Sequence, residues 1–193
     1  TDGSAGTYGD TKTRQGEQKK AAEMLGARLV WMGLADCSLE HDREHTLRVA
    51  EVIRQVKPDV IFAPYWQQFG DIHDGVAHPE HRIMGNLARD AARYARFRIA
   101  DLAGEPHKTS HIYYFMAPPS ACRVVVVVEK KDCERLWRAH ESQTQLKDGG
   151  LIEHLMQKRK AAAAVHPGAE LVEHIAADRP ILVQNLAALG LAN

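Results

Sequence analysis

The chain has 193 residues, 45% of them hydrophobic and 26% charged, with a formal net charge of zero. That length suits one domain with a substantial core, and the even charge balance leaves no electrostatic case for nucleic-acid or membrane-surface binding. No apolar run is long enough to span a bilayer, and three cysteines without a Cys-x-x-Cys pair argue against a disulfide framework and for a reducing, cytoplasmic setting.

The first ten residues are glycine-rich. Gly3, Gly6 and Gly9 recur every third position, as in a loop whose backbone comes close to a ligand. The same composition suits a loop leaving a strand, so the chain reads as the downstream part of a longer polypeptide. Asp10 or Thr11 can cap a helix running to about Leu25, with Gly26 just past its end. Leu29-Val30-Trp31-Met32 reads as a short strand, followed by a loop through Gly33 and Asp36. A second helix is expected over residues 42–56, where Val49, Val52, Ile53 and Val56 form one stripe and Pro58 ends it. Asp59-Val60-Ile61-Phe62-Ala63 then reads as a buried strand.

A polar loop over residues 64–77 leads into Ala77-His78-Pro79-Glu80-His81-Arg82. Pro79 suits the first position of a helix, because its missing N–H would have no partner there. His78 and His81 are three residues apart and share one helical face. They sit where a strand's end meets a helix's start, which is where ligands bind in open α/β sheets. Eleven histidines in the chain mildly favour a metal or acid–base role for some of them. Asp71, His73 and Asp74 precede this turn and read as a solvated loop rather than a metal site.

The helix from Pro79 is expected to reach about Arg98, with Met84, Leu87, Ala88, Ala91 and Ala95 facing the core. Ile112-Tyr113-Tyr114-Phe115 is a strand. The five valines at 124–128 read as a strand buried on both faces. Helices follow over residues 130–144 and 151–165, and Ile181-Leu182-Val183 reads as a last strand. Strand–helix alternation of this kind predicts an α/β, Rossmann-like three-layer sandwich with a mostly parallel sheet, in a single domain over residues 1–193.

Taken in order, these stretches resemble the LmbE-like, or PIG-L, zinc-dependent N-deacetylases. The likeness rests on Thr1-Asp2-Gly3 with Gly6, on Arg14-Gln15-Gly16-Glu17 leading to Leu25-Gly26, and on Gly33 with Asp36. It continues through Pro58 to Pro64, His78-Pro79-Glu80-His81 and Glu141-Ser142-Gln143. The family's opening Ala-His-Pro-Asp-Asp motif, which supplies two zinc ligands and a catalytic base, is not in the chain. Glu80 stands where the family usually has Asp.

The resemblance implies a homo-oligomeric, zinc-dependent hydrolase that removes an N-acetyl group from an N-acetylglucosamine-type sugar. It implies His81 as a zinc ligand and His78 as the catalytic group that polarises the carbonyl and relays a proton. Glu80 is implied as a catalytic neighbour that orients His78, and Arg14 and Asp36 as substrate-binding residues that grip sugar hydroxyls. Two alternatives stay open: an amidase of the same fold acting on a thiol conjugate or other acylated amine, and an inactive sugar-binding or assembly module.

Overall fold

The computed structural model describes residues 1–6, 8–67, 78–144, 150–164 and 172–177. The expected loop residues Asp71, His73 and Asp74 and the expected last strand at 181–183 lie outside them. The described residues form two compact units: one drawn from Thr1–Leu39 and Val127–Glu173, the other from Glu40–Val126 and the residues from His174 on.

In the first unit, α1 spans Thr11–Met24. Asp10 caps it, accepting the Thr13 amide at 2.8 Å, as short polar side chains do at helix starts. That hydrogen bond holds the Asp10 carboxyl below its usual pKa. Gly26 follows the helix with φ of +63°, a conformation glycine adopts without steric penalty. Residues 28–32 do not form the expected strand. A strand exists only through its ladder partners, and no described strand pairs with this one. Leu29 and Val30 are exposed.

The expected helix over 130–144 is two helices, α4 (Lys130–Ala139) and α5 (Glu141–Thr144). They break at His140, whose φ and ψ of −96° and 58° are not helical. Another helix, α6 (Gly150–Ala163), packs on α4, with the Arg159 guanidinium 4.7 Å from the Trp137 ring centre.

The second unit holds the sheet. Helix α2 (Arg43–Val56) is capped by Asp42 and ends at Lys57 in the left-handed region. Strand β1 (Val60–Pro64) follows, then α3 (Pro79–Tyr94), β2 (His111–Phe115), β3 (Cys122–Val127) and β4 (Val172–Ala177). Their order in the sheet is β1-β2-β4-β3. Strands β1 and β2 run parallel from Val60↔His111 to Pro64↔Phe115, whereas β4 pairs antiparallel with β2. The sheet is therefore mixed rather than mostly parallel. The strand responsible, β4, has too weak a hydrophobic alternation in sequence to announce itself.

Tyr113 and Tyr114 are both fully buried, one on each face of the inner strand β2. Tyr113 packs with Val124 and Ile175. Tyr114 lies beside Trp66 and Tyr65. The valine run of β3 is not buried on both faces: Val124 is buried, whereas Val125 and Val127 are exposed. That alternation is the period-2 pattern of a half-covered strand.

Helix α2 packs on α3, and α3 packs on β1. Gly85 makes the second contact possible, since a Cβ there would meet the Pro64 carbonyl and lie 3.0 Å from the Trp66 backbone. Between α2 and α3 sits Arg54, only 3% exposed. Its guanidinium donates to the carbonyls of Ala95, Phe97, Leu102, Ala103 and Gly104. Ala95 is the C-cap of α3, so the cation also meets the negative end of that helix.

Replacing Arg54 removes several charge-assisted hydrogen bonds and strands buried carbonyls. Arg54→Met is expected to lower the unfolding free energy in urea by about 3 kcal/mol or more. Arg54→Lys, which keeps the charge but loses the planar fork, should fall between it and the parent.

Candidate functional site

The sequence-predicted residues fall into two groups, one in each unit. His78, Glu80 and His81 come together in the second unit, on the first turn of α3. His78 is the N-cap, and its Nδ1 accepts the Glu80 amide at 3.3 Å. The His78 carbonyl accepts the His81 amide at 2.8 Å. An Nδ1 that accepts must be unprotonated, so a neutral ring in this arrangement carries its proton on Nε2. The Glu80 contribution to holding His78 is thus made by its backbone N–H.

The two imidazole centres are 6.3 Å apart. His81 is exposed as a residue, but the protein around its ring displaces enough water to lower its pKa from 6.5. Repulsion from His78 adds to this, and Glu80 opposes it. The neutral imidazole so favoured is the form that ligates a metal.

A catalytic zinc site takes three protein ligands and an open position. His81 fits that requirement in donor type. The number does not fit: among the described residues, no three His, Cys, Asp or Glu side chains gather where they could hold a metal ion.

Arg14 and Asp36 come together in the first unit, on either side of the glycine-rich loop. Gly3, at φ +69°, and Gly6 both lie against Arg14, where a Cβ would come within 3.1 Å of its Cγ and Nη1 respectively. The glycine-rich loop thus lies close to a guanidinium. Asp36 accepts from Thr1 Oγ1 at 2.9 Å and from the Ala5 amide at 3.2 Å. Asp2 closes the loop by accepting the Asp36 amide at 3.1 Å and the Ser4 amide at 3.0 Å. The Ser4 contact is the main reason its pKa is lowered.

One pairing in this unit was not legible beforehand. Glu17, buried on α1, accepts both the amide and the hydroxyl of Ser142, at 2.5 and 2.8 Å. Gln143 donates to the Tyr8 carbonyl at 2.9 Å, and a Cβ on Gly9 would lie 2.7 Å from Ser142 Oγ. The Ser142-Gln143 pair therefore clamps the loop and α1 together across 125 residues of sequence. Next to it, His140 has its pKa lowered, mainly by burial and also by Arg14, with Glu17 opposing.

The architecture is shared with solved proteins. The conserved protein TT1542 from Thermus thermophilus matches with a TM-score of 0.79 at 26% identity, over 93% of this chain and 79% of that one. N,N'-diacetylchitobiose deacetylase from Pyrococcus horikoshii matches with a TM-score of 0.74 at 20% identity, over 91% and 69%. The 4-carboxy-2-hydroxymuconate hydratase from Pseudomonas putida KT2440 matches at 0.67 and 16%, over 89% and 73%. At the last two identities the likeness is one of fold alone, and it places the chain in a class of mixed-sheet α/β proteins.

Sequence narrows the class to a family. Residues 1–92 match the PIG-L family, described as GlcNAc-PI de-N-acetylase. A diacetylchitobiose deacetylase from Thermococcus kodakarensis is 31% identical over 152 residues, covering 74% of this chain and 54% of that protein. The chain carries a PIG-L family domain and spans about half the length of this curated relative.

Two measurements test this geometry. Glu17→Ala leaves the Ser142 amide and hydroxyl without their acceptor, and should cost about 2 kcal/mol of unfolding free energy in urea; Glu17→Gln should recover part of it. The second measurement follows stability against pH. His81 and His140 both have folded pKa values below 6.5, so below that pH the unfolded chain binds protons that the folded chain refuses. Stability of the metal-free protein should be full above about pH 6.5 and fall as pH drops through the folded pKa values. Replacing both histidines by Asn should flatten that slope. The depressed carboxylates Asp2, Asp10 and Asp42 act only below their ordinary 3.8.

Proposed function

We propose that the chain is the part of a zinc-dependent N-deacetylase that removes the acetyl group from an N-acetylglucosamine-type sugar. The observation that carries the reading is the turn at residues 78–81. One histidine there is fixed as a helix cap and another, one turn on, is biased toward the neutral form. Both stand inside the segment that matches the GlcNAc-PI de-N-acetylase family. The relative named for diacetylchitobiose suggests the sugar class.

In this reading His81 is one zinc ligand and the others lie outside the described residues. Zinc held by His81 with further donors would supply a water of lowered pKa for attack on the amide carbonyl. His78 presents Nε2–H toward the substrate carbonyl, where the positive end of α3 also favours a developing oxyanion. It would give that proton to the departing amine and take up the one that the attacking water loses. Glu80 keeps His78 in place through its backbone amide, and Arg14 and Asp36 bind sugar hydroxyls. The protein works as a cytoplasmic homo-oligomer; among the described residues no helix is long and apolar enough to cross a membrane.

A second reading is a metal-free sugar-binding module, favoured by the incomplete donor set among the described residues. Metal content and acetate release from N,N'-diacetylchitobiose separate the two readings. The deacetylase reading expects about one zinc per chain, lost in His81→Ala. It expects His78→Ala to keep the metal while turnover falls about a hundredfold or more. Full metal and activity in His81→Ala would overturn it, and sugar binding without turnover in the parent would favour the module.

A further inference from the structure

We propose that Gly6, Glu17 and Ser142 are positioning residues for sugar binding: together they hold the Arg14 guanidinium in one place with its hydrogen-bond donors unspent. The proposal rests on the reading of Arg14 as a sugar-binding residue. An arginine that must be ordered by its ligand loses rotamer freedom on binding, and ordering it beforehand removes that cost.

The Arg14 side chain is confined along its whole length by the glycine-rich loop. A Cβ on Gly3 would come 3.1 Å from Arg14 Cγ, one on Gly9 3.3 Å from Cδ, and one on Gly6 3.1 Å from Nη1. Gly3 and Gly9 have φ of +69° and +81°, so their backbone alone calls for glycine. Gly6 is not among the positive-φ residues, and its backbone does not require glycine. Its other close neighbours, the Gly3 and Tyr8 carbonyls, would stand 3.5 Å from the added Cβ, at ordinary contact. The guanidinium is what leaves no room for a side chain there.

Glu17 supplies the second constraint. Its carboxylate stands 3.8 Å from Arg14 Nε, close enough to attract the cation and too far for a hydrogen bond. Each of its oxygens already accepts from Ser142, Oε1 from the amide and Oε2 from the hydroxyl. Glu17 therefore steadies the guanidinium without occupying it. The Arg14 side chain is only 27% exposed, and among the described residues its guanidinium donates no hydrogen bond. A carboxylate free to turn would engage that fork through two hydrogen bonds and compete with a ligand. Ser142 prevents the turn. The open fork presents parallel N–H groups to neighbouring hydroxyl oxygens, and donors committed to a substrate hydroxyl are a strong source of selectivity.

Titration calorimetry on the intact, metal-free chain tests this, with N,N'-diacetylchitobiose as the probe. The parent should bind it saturably at about millimolar concentration or below, and Arg14→Ala should abolish binding. Gly6→Ala and Ser142→Ala should each weaken binding about threefold or more. Gly6→Ala should do so while keeping the parent's unfolding midpoint in urea, which a merely structural role would not produce. Gly16→Ala, on α1 with nothing within 4 Å of the added Cβ, should bind like the parent. Should Ser142→Ala fail to fold, Gly6→Ala still decides the question. Parent affinity in Gly6→Ala, or in a folded Ser142→Ala variant, overturns the proposal, and loss of binding in Arg14→Ala alongside it leaves the role of Arg14 standing. Binding absent from the parent, or unchanged in Arg14→Ala, overturns that role and the proposal with it.

Discussion

A buried guanidinium surrounded by neutral oxygens organises the unit that holds the sheet. Arg54 is almost wholly withdrawn from water, and burying a charge without partners would cost several kcal/mol. Five carbonyls offset that cost. They all belong to residues 95–104, the segment that carries the chain from α3 back toward β2. Such a segment has few backbone partners of its own, and Arg54 supplies them. The same contact closes the C-terminus of α3, so the helix is held at one end by a cation and begins at the other with the His78 cap.

That arrangement makes α3 a rigid carrier for the side chains of its first turn. Gly85 lets the helix lie directly on the end of β1, and Asn86 donates to the Trp66 carbonyl at 3.0 Å. Side chains on packed helices hold their positions better than those on loops. His78 and His81 therefore owe their separation to the helix and the packing beneath it. In the other unit, order comes from hydrogen bonds rather than from a large core: Asp2, Asp36 and Arg14 gather the glycine-rich loop, and Glu17 fastens it to Ser142.

The fold alone does not choose a reaction, since a hydratase shares it. What favours amide hydrolysis is the family match over residues 1–92 together with an imidazole pair whose two members are prepared differently. One is fixed in orientation by a backbone N–H, and the other has its charge suppressed mainly by lost hydration.

Much of this was legible in the sequence because it is local. Asp10 as a cap, Pro79 at a helix start, Gly26 past a helix end and the stripe on α2 depend on nearest neighbours along the chain. The pairing of His78 with His81 followed from helical spacing for the same reason. Other features required the tertiary structure. Leu29 to Met32 has the composition of a strand, but strand formation waits on a partner, and among the described residues none is paired with it. The valines of β3 looked buried on both faces, whereas the alternate ones face out, because burial depends on what covers each face. Strand β4 turned an expected parallel sheet into a mixed one through a pairing more than sixty residues distant. Glu17 with Ser142, and Arg54 with its carbonyls, are contacts between residues far apart in sequence. Residue types and spacings determine where helices start and stop, while only the folded chain decides which buried charge meets which oxygen.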